Sequence, residues 1–439
     1  MASASRPSPT TGWVTLLLLT LLAGCTATGS GRALAPVLRG RTGSPPSGLV
    51  FIQGDARKGA DLWLQSLDGQ HQWPLTSSGK VSFYAGAAIS PDGKQVAWVE
   101  FQAPGSRRGP EGGWNKLFIV NADGTARREL LDLTRQPLPE GQLMARHFRW
   151  SDDGKSIAFV LEHLASKEDP WACGRVFLYS VDVASGHLSP LPEVGLLGHV
   201  TLLDWRPARE ELTLYVECAL RPEEGVSYYL PPMSTLVAVL RVSDGALRTE
   251  VASEPSLSPD GTFVFLPSRP RFRSTPTVYR TAALGGPLAL TLAAPLVLPY
   301  RYVGRLTWLH RSLAALVSAT RWEGPGMECV GTQPQPRTLF RLNPATGALQ
   351  QVRADATALN VVAISPDDTH ALVGIITGMS EEPSIICGKS PAERLFLVPL
   401  EDLASELPLE ELQRRGTPLT PPRAWSSTRA FFEYVGWVR

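Results

Sequence analysis

One short motif recurs along this chain and constrains its fold more than any other feature. Stretches such as AAISPDGKQVAWVE place Ser-Pro-Asp-Gly, or a close variant of it, between apolar segments, with the serine at positions 90, 151, 258 and 365. The proline presets φ for a turn, the aspartate can bond nearby backbone N–H groups, and the glycine accepts a positive φ. Each copy therefore predicts a β-hairpin, and hairpins repeated along a chain predict a modular all-β protein.

The repeating unit contains four strands. Each hairpin, formed by strands A and B, is followed by a strand C, an Asp/Gly turn such as NADGT or VSDGA, and a strand D. Two degenerate copies, LLDWRPAREELTLYVE and LTWLHRSLAALVS, fill the gaps between the clear ones. Strand A is then expected to end near residues 90, 150, 205, 257, 308 and 364. One strand A is missing before GLVFIQG, and one is spare in the C-terminal FFEYVGWVR.

Joining the two ends completes one more unit and predicts seven, although one misread repeat would give six or eight. The repeat resembles that of TolB-like, WD-related β-propellers. The resemblance implies an all-β propeller of four-stranded blades around a central channel, spanning residues 48–439 and closed by pairing of the N- and C-terminal strands. A two-sheet β-sandwich is the alternative fold. TolB proteins carry an α/β domain before the propeller, where this sequence has only a short tether.

The N-terminal segment predicts export and lipid anchoring. TGWVTLLLLTLLAGC contains a short apolar run that ends in small residues, as in a signal peptide covering residues 1–24. Leu22-Ala23-Gly24-Cys25 resembles the bacterial lipobox, which implies acylation of Cys25 after cleavage; an ordinary secretory signal with a chance cysteine is the alternative. Residues 25–47 are rich in Gly, Pro and Ser and predict a flexible tether. Thr26 after the cysteine favours the outer membrane, facing the periplasm, by resemblance to the lipoprotein sorting rule.

Charge composition argues against nucleic acid as a partner. The chain has 42 Lys and Arg and 41 Asp and Glu. Arg6 is the only charged residue among the first 24, so cleavage before Cys25 leaves a formal net charge of zero. Without a basic block the chain has no means of neutralising many phosphates. We expect a monomer.

Four cysteines beyond Cys25 fall at the end of strand B or in the following B–C loop. They are Cys173, Cys218, Cys329 and Cys387. Because the first two lie in neighbouring units, and so do the last two, we predict the disulfides Cys173–Cys218 and Cys329–Cys387. Four cysteines permit three connectivities, so this pairing rests on the assumed topology. A metal site and four free thiols are the alternatives, and no CxxC spacing supports the metal.

Catalytic motifs are absent from the sequence. There is no G-x-S-x-G elbow and no HExxH, and TSSGK ending at Lys80 falls where a D–A loop belongs. SDDGK and NADGT lack the further ligands of a Ca²⁺ loop and are explained as turns. We therefore expect no cofactor, no metal and no catalytic residues; a site of converging carboxylates at the central channel is the alternative.

Long B–C and D–A loops on one face are the candidate binding site, because loops on a rigid scaffold carry function and aromatics are favoured at binding hot spots. Packing of each aromatic onto its own blade is the alternative. The candidate residues are Trp114, Trp171, Tyr228 and Trp322 in B–C loops, and Phe83, Tyr84, Arg146, Tyr300 and Tyr302 in D–A loops.

These observations predict a lipid-anchored propeller that acts as a non-catalytic protein-binding or scaffold module of the cell envelope. Its partner would be an envelope protein or a component associated with peptidoglycan. The alternatives are a hydrolase or lyase acting on a glycan or lactone at the central channel, and a sensor of a small ligand. A helical segment at residues 400–420, on either side of Pro408, is expected on the opposite face, packed against the blade or docking a partner.

Overall fold

A computed structural model of the protein describes residues 47–439 except 56–58, 82–85, 101–114, 140–142, 164–174, 194–198, 218–234, 252–255, 267–276, 281–290, 296–301, 321–336, 358, 385–387 and 420–429. The described residues form 28 β-strands and two short α-helices, α1 (Leu400–Leu403) and α2 (Leu409–Arg415). The strands are β1 (Gly48–Asp55), β2 (Gly59–Ser66), β3 (Gln72–Pro74), β4 (Ala87–Ile89), β5 (Gln95–Glu100), β6 (Lys116–Asn121), β7 (Arg128–Asp132), β8 (Leu143–Trp150), β9 (Ser156–His163), β10 (Val176–Asp182), β11 (Leu188–Pro190), β12 (His199–Arg206), β13 (Glu211–Glu217), β14 (Thr235–Arg241), β15 (Leu247–Val251), β16 (Ser256–Leu257), β17 (Phe263–Leu266), β18 (Thr277–Arg280), β19 (Thr291–Pro295), β20 (Tyr302–Trp308), β21 (Ala315–Thr320), β22 (Arg337–Leu342), β23 (Leu349–Arg353), β24 (Leu359–Ile364), β25 (His370–Ser384), β26 (Gly388–Pro399), β27 (Thr417–Pro418) and β28 (Ala430–Val438).

The strands pair into seven four-stranded antiparallel sheets. The first blade has the order β28-β1-β2-β3, and the second to seventh blades are the successive groups β4–β7, β8–β11, β12–β15, β16–β19, β20–β23 and β24–β27. In every blade the first strand of this order is strand A. Strand β28 pairs with β1 from Gly48↔Val438 to Asp55↔Ala430, so the two ends of the described chain lie in one sheet.

The hairpin turns fold through the local hydrogen bonds that their sequence allows. Ser90 Oγ donates to Asp92 Oδ1 at 2.7 Å, and the same carboxylate oxygen accepts the Lys94 N–H at 3.0 Å. Ser90 Oγ also accepts the Gln95 N–H at 2.9 Å, and Gly93 takes a φ of 72°. The turns that begin at residues 151, 258 and 365 repeat the serine–aspartate bond. The inner strands end within one residue of the expected positions because these bonds are local.

Apolar clusters fill the junctions between consecutive blades. Separate clusters join the first blade to the second, the second to the third and the third to the fourth. Two more join the fifth blade to the sixth and the sixth to the seventh. A further cluster packs Leu372 and Leu397 of the seventh blade against Leu49 and Phe51 of the first. Packing therefore runs around a ring, as in a β-propeller and unlike a β-sandwich, whose two sheets share one core.

Strand A is the inner strand of each blade. The backbones of neighbouring blades approach one another at their A strands, as at β28 and β4, β4 and β8, β8 and β12, and β20 and β24. At the junction between the fourth and fifth blades, Arg206 Nη1 donates to Asp260 O at 2.7 Å. The A strands therefore surround the centre of the ring.

The described strands differ in length more than the regular spacing of the motif suggests. The seventh blade is enlarged, because β25 has 15 residues and β26 has 12. The turn motif sets where a hairpin begins but not how far its strands continue to pair, so strand length does not follow from the motif.

Candidate functional site

The blades present their connections at the two ends of the propeller. We call the end that carries the B–C and D–A connections the loop face, and the end that carries the A–B and C–D turns the turn face. Most of the predicted binding residues lie outside the described residues, so their predicted role stays a prediction: Trp114, Trp171, Tyr228, Trp322, Phe83, Tyr84 and Tyr300. Cys173, Cys218, Cys329 and Cys387 also lie outside the described residues, so their predicted pairing stays a prediction.

Two predicted loop residues lie instead within inner strands. Arg146 belongs to β8 and Tyr302 begins β20, so neither is in a D–A loop. The cause is the length of the partner strand: β8 pairs with β9 as far as Leu143↔His163, and β20 pairs with β21 as far as Tyr302↔Thr320. Long B strands thus extend strand A toward the loop face, beyond the boundary that the sequence suggested.

A buried carboxylate joins the first and second blades at the loop face. Glu100 ends β5 with 7% of its surface exposed. Its Oε1 accepts the Ser78 hydroxyl at 2.9 Å, and Ser78 lies in the connection that leads from the first blade to the second. The same oxygen accepts the Trp98 indole N–H at 3.2 Å and lies 3.4 Å from Arg127 Nη2. Arg127 lies over the ring of Trp98 with 5.3 Å to the centroid, within cation–π range.

A second buried carboxylate joins the third and fourth blades in the same way. Glu162 on β9 is 4% exposed. Its Oε2 lies 3.2 Å from His199 Nδ1, and its Oε1 accepts the Val200 N–H at 3.3 Å. His199 and Val200 begin β12, the inner strand of the next blade. A buried carboxylate held by several donors fixes the geometry of the groups around it.

Close backbone contact fixes the base of the connection between the first and second blades. Gly59 takes a φ of 90°, and a Cβ at this position would lie 1.8 Å from Gly79 O. Asp61 Oδ1 accepts the Gly79 N–H at 3.0 Å and the Thr76 hydroxyl at 2.8 Å. The loop is therefore tied to the blade by side-chain hydrogen bonds at a point where only glycine allows the two chain segments to approach so closely.

Charged side chains also lie on the inner strands near the turn face. Arg149 on β8 is exposed to solvent. Desolvation by the surrounding protein lowers the pKa of its guanidinium, and the Asp204 carboxylate opposes this shift. Asp204 on β12 forms an ion pair with Arg206 at 2.5 Å.

The carboxyls described in the structure show no sign of acid–base tuning. Every described carboxyl with a shifted pKa is shifted downward, among them Asp92 and Asp367 in the hairpin turns. Partial burial opposes the shift at Asp92, but hydrogen bonds from Ser90 and the Lys94 N–H outweigh it. Within the described chain no group of three His, Cys, Asp or Glu side chains is placed to hold a metal ion.

The helical segment lies in the groove between the sixth and seventh blades. Leu403 of α1 and Leu412 of α2 are fully buried in the cluster that joins these blades. Arg353 of β23 donates to Ser405 O at 3.1 Å and to Leu407 O at 2.7 Å, holding the link between the two helices. This confirms that the segment is helical on either side of Pro408 and packs against the blade. A cavity of about 160 Å³ remains between α1 and the sixth blade.

No helix among the described residues is both long enough and apolar enough to span a bilayer.

The buried carboxylates Glu100 and Glu162 belong to the supporting structure of the loop face, and the sequence-based search overlooked them. A signal was present, since QVAWVE and IAFVLE each place a glutamate at or next to the end of an apolar strand B, and LTLYVE repeats this pattern in the next blade. Glu100 and Glu162 therefore fall at the loop-face ends of their strands. No comparable sequence pattern marks Trp150, Trp308 and Arg206 of the inner strands, because each donates a hydrogen bond to a residue of a different blade.

No protein-family model matches the sequence, and no curated protein matches it. Solved structures with a similar fold include TolB from Acinetobacter baumannii, at 16% identity over 70% of this chain and 64% of that one, with a TM-score of 0.37. The tricorn protease is similar at 12% identity over 89% of this chain and 34% of its own, with a TM-score of 0.48. An acylaminoacyl peptidase from Pyrococcus horikoshii is similar at 11% identity over 79% of this chain and 48% of its own, also with a TM-score of 0.48. The chain thus spans less than two thirds of the length of each of these structures, and at such low similarity their activities do not transfer to it.

Proposed function

We propose that this chain is a lipid-anchored β-propeller of the bacterial cell envelope that binds a partner protein through its loop face and does so without catalysis. The observation that carries the proposal is the pair of buried carboxylates, Glu100 and Glu162, which tie neighbouring blades together at the bases of the loops. A face whose supporting strands are fixed in this way presents its loops at low entropic cost to a partner.

The protonation behaviour of the described carboxyls supports binding over acid–base chemistry. Glycan hydrolysis by a carboxyl pair requires one carboxyl with a raised pKa. The shifted carboxyls of the described chain are all stabilised as anions by hydrogen bonds or by arginine, as Glu411 is by Arg414 and Arg415, which lower its pKa to about 2. Such groups serve as fixed acceptors rather than as proton donors.

The anchor in the proposal is Cys25, with the tether of residues 25–47 holding the propeller near the membrane surface. Two or more acyl chains give stable attachment where one gives only reversible binding. The proposed location is the periplasmic face of the outer membrane. The proposed partner is another envelope protein, or one associated with peptidoglycan.

A photo-crosslinking experiment in intact cells tests the binding proposal. The probe replaces Lys80, which is exposed in the connection between the first and second blades, or Trp322, the predicted contact in a B–C loop. The matched control probe replaces Glu410, which is exposed on α2. We expect a discrete adduct from Lys80 or Trp322 that is absent from Glu410, and we expect the purified partner to rebind the wild-type protein.

Two results would overturn the binding proposal. One is an identical adduct pattern from all three probe positions. The other is a captured protein that, once purified, binds Glu162→Gln and wild type equally and still crosslinks from the Glu410 position. No adduct at Lys80 or Trp322 would direct the search to the inner strands instead.

Metabolic labelling with an alkyne-bearing palmitate tests the anchor separately. We expect the label on the wild-type protein and not on Cys25→Ser, and we expect the variant to move from the membrane fraction to the soluble fraction. Labelling of Cys25→Ser, or membrane retention without any label, would refute the anchor and leave the binding proposal unaffected.

A further inference from the structure

Two departures from the repeat meet at the turn face, and the first is in the A–B turn of the sixth blade. In a clear copy of the turn the Ser90 N–H donates to Gln95 O, and in the sixth blade the Leu309 N–H donates to Ala314 O over the same spacing. Leu309 therefore occupies the position of the serine. Its side chain cannot form the serine–aspartate bond; it is 4% exposed and lines the cavity beside α1 instead.

A residue of the seventh blade holds this turn in place of its own side chains. Asp368 Oδ1 accepts the His310 N–H at 2.7 Å, and Asp368 Oδ2 accepts the Arg311 N–H at 2.8 Å. Both carboxylate oxygens of Asp368 thus bind backbone donors across the blade junction. The turn keeps its shape although the serine is replaced by leucine.

The second departure is the C–D connection of the seventh blade. The second blade makes this connection with a short turn closed by a bond from the Asn121 N–H to Thr125 O, whereas the seventh uses residues 400–416 with their two helices. Leu400 and Leu403 of α1 form one wall of the cavity, opposite Leu316 of β21. The cavity of about 160 Å³ therefore lies where these two departures meet.

The cavity has apolar walls and a cationic opening. Leu316 is 4% exposed and Leu403 is fully buried. Leu316 pairs across the sheet with Arg341, which pairs with Gln350, so these three side chains project from the same face of the sixth blade. Arg341, Gln350 and Gln351 line the cavity and are exposed, so the cavity opens to solvent on their side.

The guanidinium of Arg341 retains donors for a ligand. Its Nη2 donates to Ser312 Oγ at 3.3 Å, and Arg341 makes no ion pair with any residue that the structure describes. Asp402 of α1 pairs with Arg415 at 3.0 Å instead. A guanidinium has five N–H donors in a planar fork and no acceptor, which suits it to a carboxylate.

We propose that this cavity binds a small amphiphile, an apolar group of about six carbons that carries a carboxylate. The apolar group lies among the leucines, and the carboxylate accepts from Arg341. An apolar cavity of about 150 Å³ accommodates benzene, which sets the size of the group. A short fatty acid and the C-terminal leucine of a peptide share this chemistry. The site belongs to the turn face, so it does not depend on the proposed function of the loop face.

Isothermal titration calorimetry on the full-length protein in lipid nanodiscs, with empty nanodiscs as the blank, tests the site. The probes are sodium hexanoate, sodium acetate, which has the charge alone, and 1-hexanol, which has the apolar chain alone. We expect hexanoate to bind about tenfold or more tightly than either, because only hexanoate uses both the leucines and Arg341. N-acetyl-leucine is the fourth probe, and whether it or hexanoate binds more tightly distinguishes a peptide C-terminus from a fatty acid.

Arg341→Gln is expected to weaken hexanoate binding about tenfold or more and to leave 1-hexanol binding unchanged. Unchanged binding of 1-hexanol shows that the cavity is intact in the variant. Arg311→Gln is the matched control, since Arg311 is an exposed arginine of the same blade that does not line the cavity. We expect it to bind hexanoate as the wild type does.

Three results would overturn the proposal. The first is no binding of hexanoate to the wild type up to ~10 mM, a concentration above the millimolar Kd of a weak ligand. The second is equal affinity for hexanoate and 1-hexanol, which would leave the arginine without a role. The third is an equal loss of hexanoate binding in Arg341→Gln and Arg311→Gln, which would indicate a general effect of charge.

Discussion

His199 and Glu162 meet across the junction between two blades, with 3.2 Å between His199 Nδ1 and Glu162 Oε2. The two residues are 37 positions apart in sequence. Glu162 is the next-to-last residue of strand B of the third blade, and His199 begins strand A of the fourth. The contact shows how the propeller joins its modules at the loop face, by side chains at strand ends rather than by backbone pairing between sheets.

Glu162→Gln is expected to lower the free energy of unfolding by about 1–3 kcal/mol, because it leaves buried donors facing an amide that cannot accept from all of them. Urea unfolding measures the change. Glu193→Gln is the matched control, since Glu193 is 51% exposed at its side chain and pairs only with an exposed arginine. We expect the control to change stability by less than about 0.5 kcal/mol. Equal effects of the two variants would show that the buried pair does not join the blades.

Gly59→Ala and Gly86→Ala separate backbone strain from steric contact. Both glycines have positive φ, 90° and 70°, but a Cβ at Gly59 would collide with Gly79 O, whereas a Cβ at Gly86 would meet nothing within 4 Å. Gly86→Ala should therefore cost about 1–2 kcal/mol from conformation alone. Gly59→Ala should cost roughly 1–3 kcal/mol more, because the crowded backbone must move. Thermal unfolding of the two variants gives the comparison, and similar melting temperatures would contradict it.

Asp367 makes the stability of the seventh blade dependent on pH. Hydrogen bonds from Ser365 and Thr369 lower the pKa of this carboxyl well below its ordinary 3.8. Since its pKa is lower in the folded state, its contribution to stability is fully present above pH 3.8 and is lost as the pH falls through the folded value. Wild-type stability should therefore decline in acid more steeply than that of Asp367→Asn. Urea midpoints measured from neutral to acid pH check this, with Asp152→Asn, an exposed turn residue, as the control.

Arg353 is expected to hold the helical segment onto the propeller. It is 8% exposed and donates to three backbone carbonyls, Asp355 O, Ser405 O and Leu407 O. Arg353→Met keeps the apolar stem and removes these donors, so amide hydrogen exchange in residues 400–416 should accelerate about tenfold or more. Arg311→Met, at an exposed position in a turn of the same blade, is the control and should leave exchange there unchanged. Unaltered protection in Arg353→Met would mean that burial of Leu403 and Leu412 is sufficient to hold the helical segment on the propeller.

The predicted disulfides Cys173–Cys218 and Cys329–Cys387 can be tested directly by mass spectrometry of peptides from the unreduced, alkylated protein. We expect both cross-linked peptide pairs and no alkylation of these four cysteines before reduction. A different pairing would show that the B–C loops of those blades do not lie side by side, and full alkylation without reduction would show four free thiols.

The sequence by itself determined the hairpins. The bonds among Ser90, Asp92, Lys94 and Gln95 span five residues or fewer, so the local sequence suffices to place the turn and the end of the inner strand. The same holds for the helices on either side of Pro408, where proline and the leucine spacing act locally. These features follow from neighbours along the chain, which a sequence displays.

Only the tertiary structure decided what lies between blades. It extended β8 and β20 over Arg146 and Tyr302, because pairing continues wherever a long partner strand is present. It brought Glu162 to His199 and left the Trp205 indole without an acceptor in the part of the chain that the structure describes. These outcomes depend on how one sheet packs against the next, and residues far apart in sequence carry no local pattern that reveals which of them will meet.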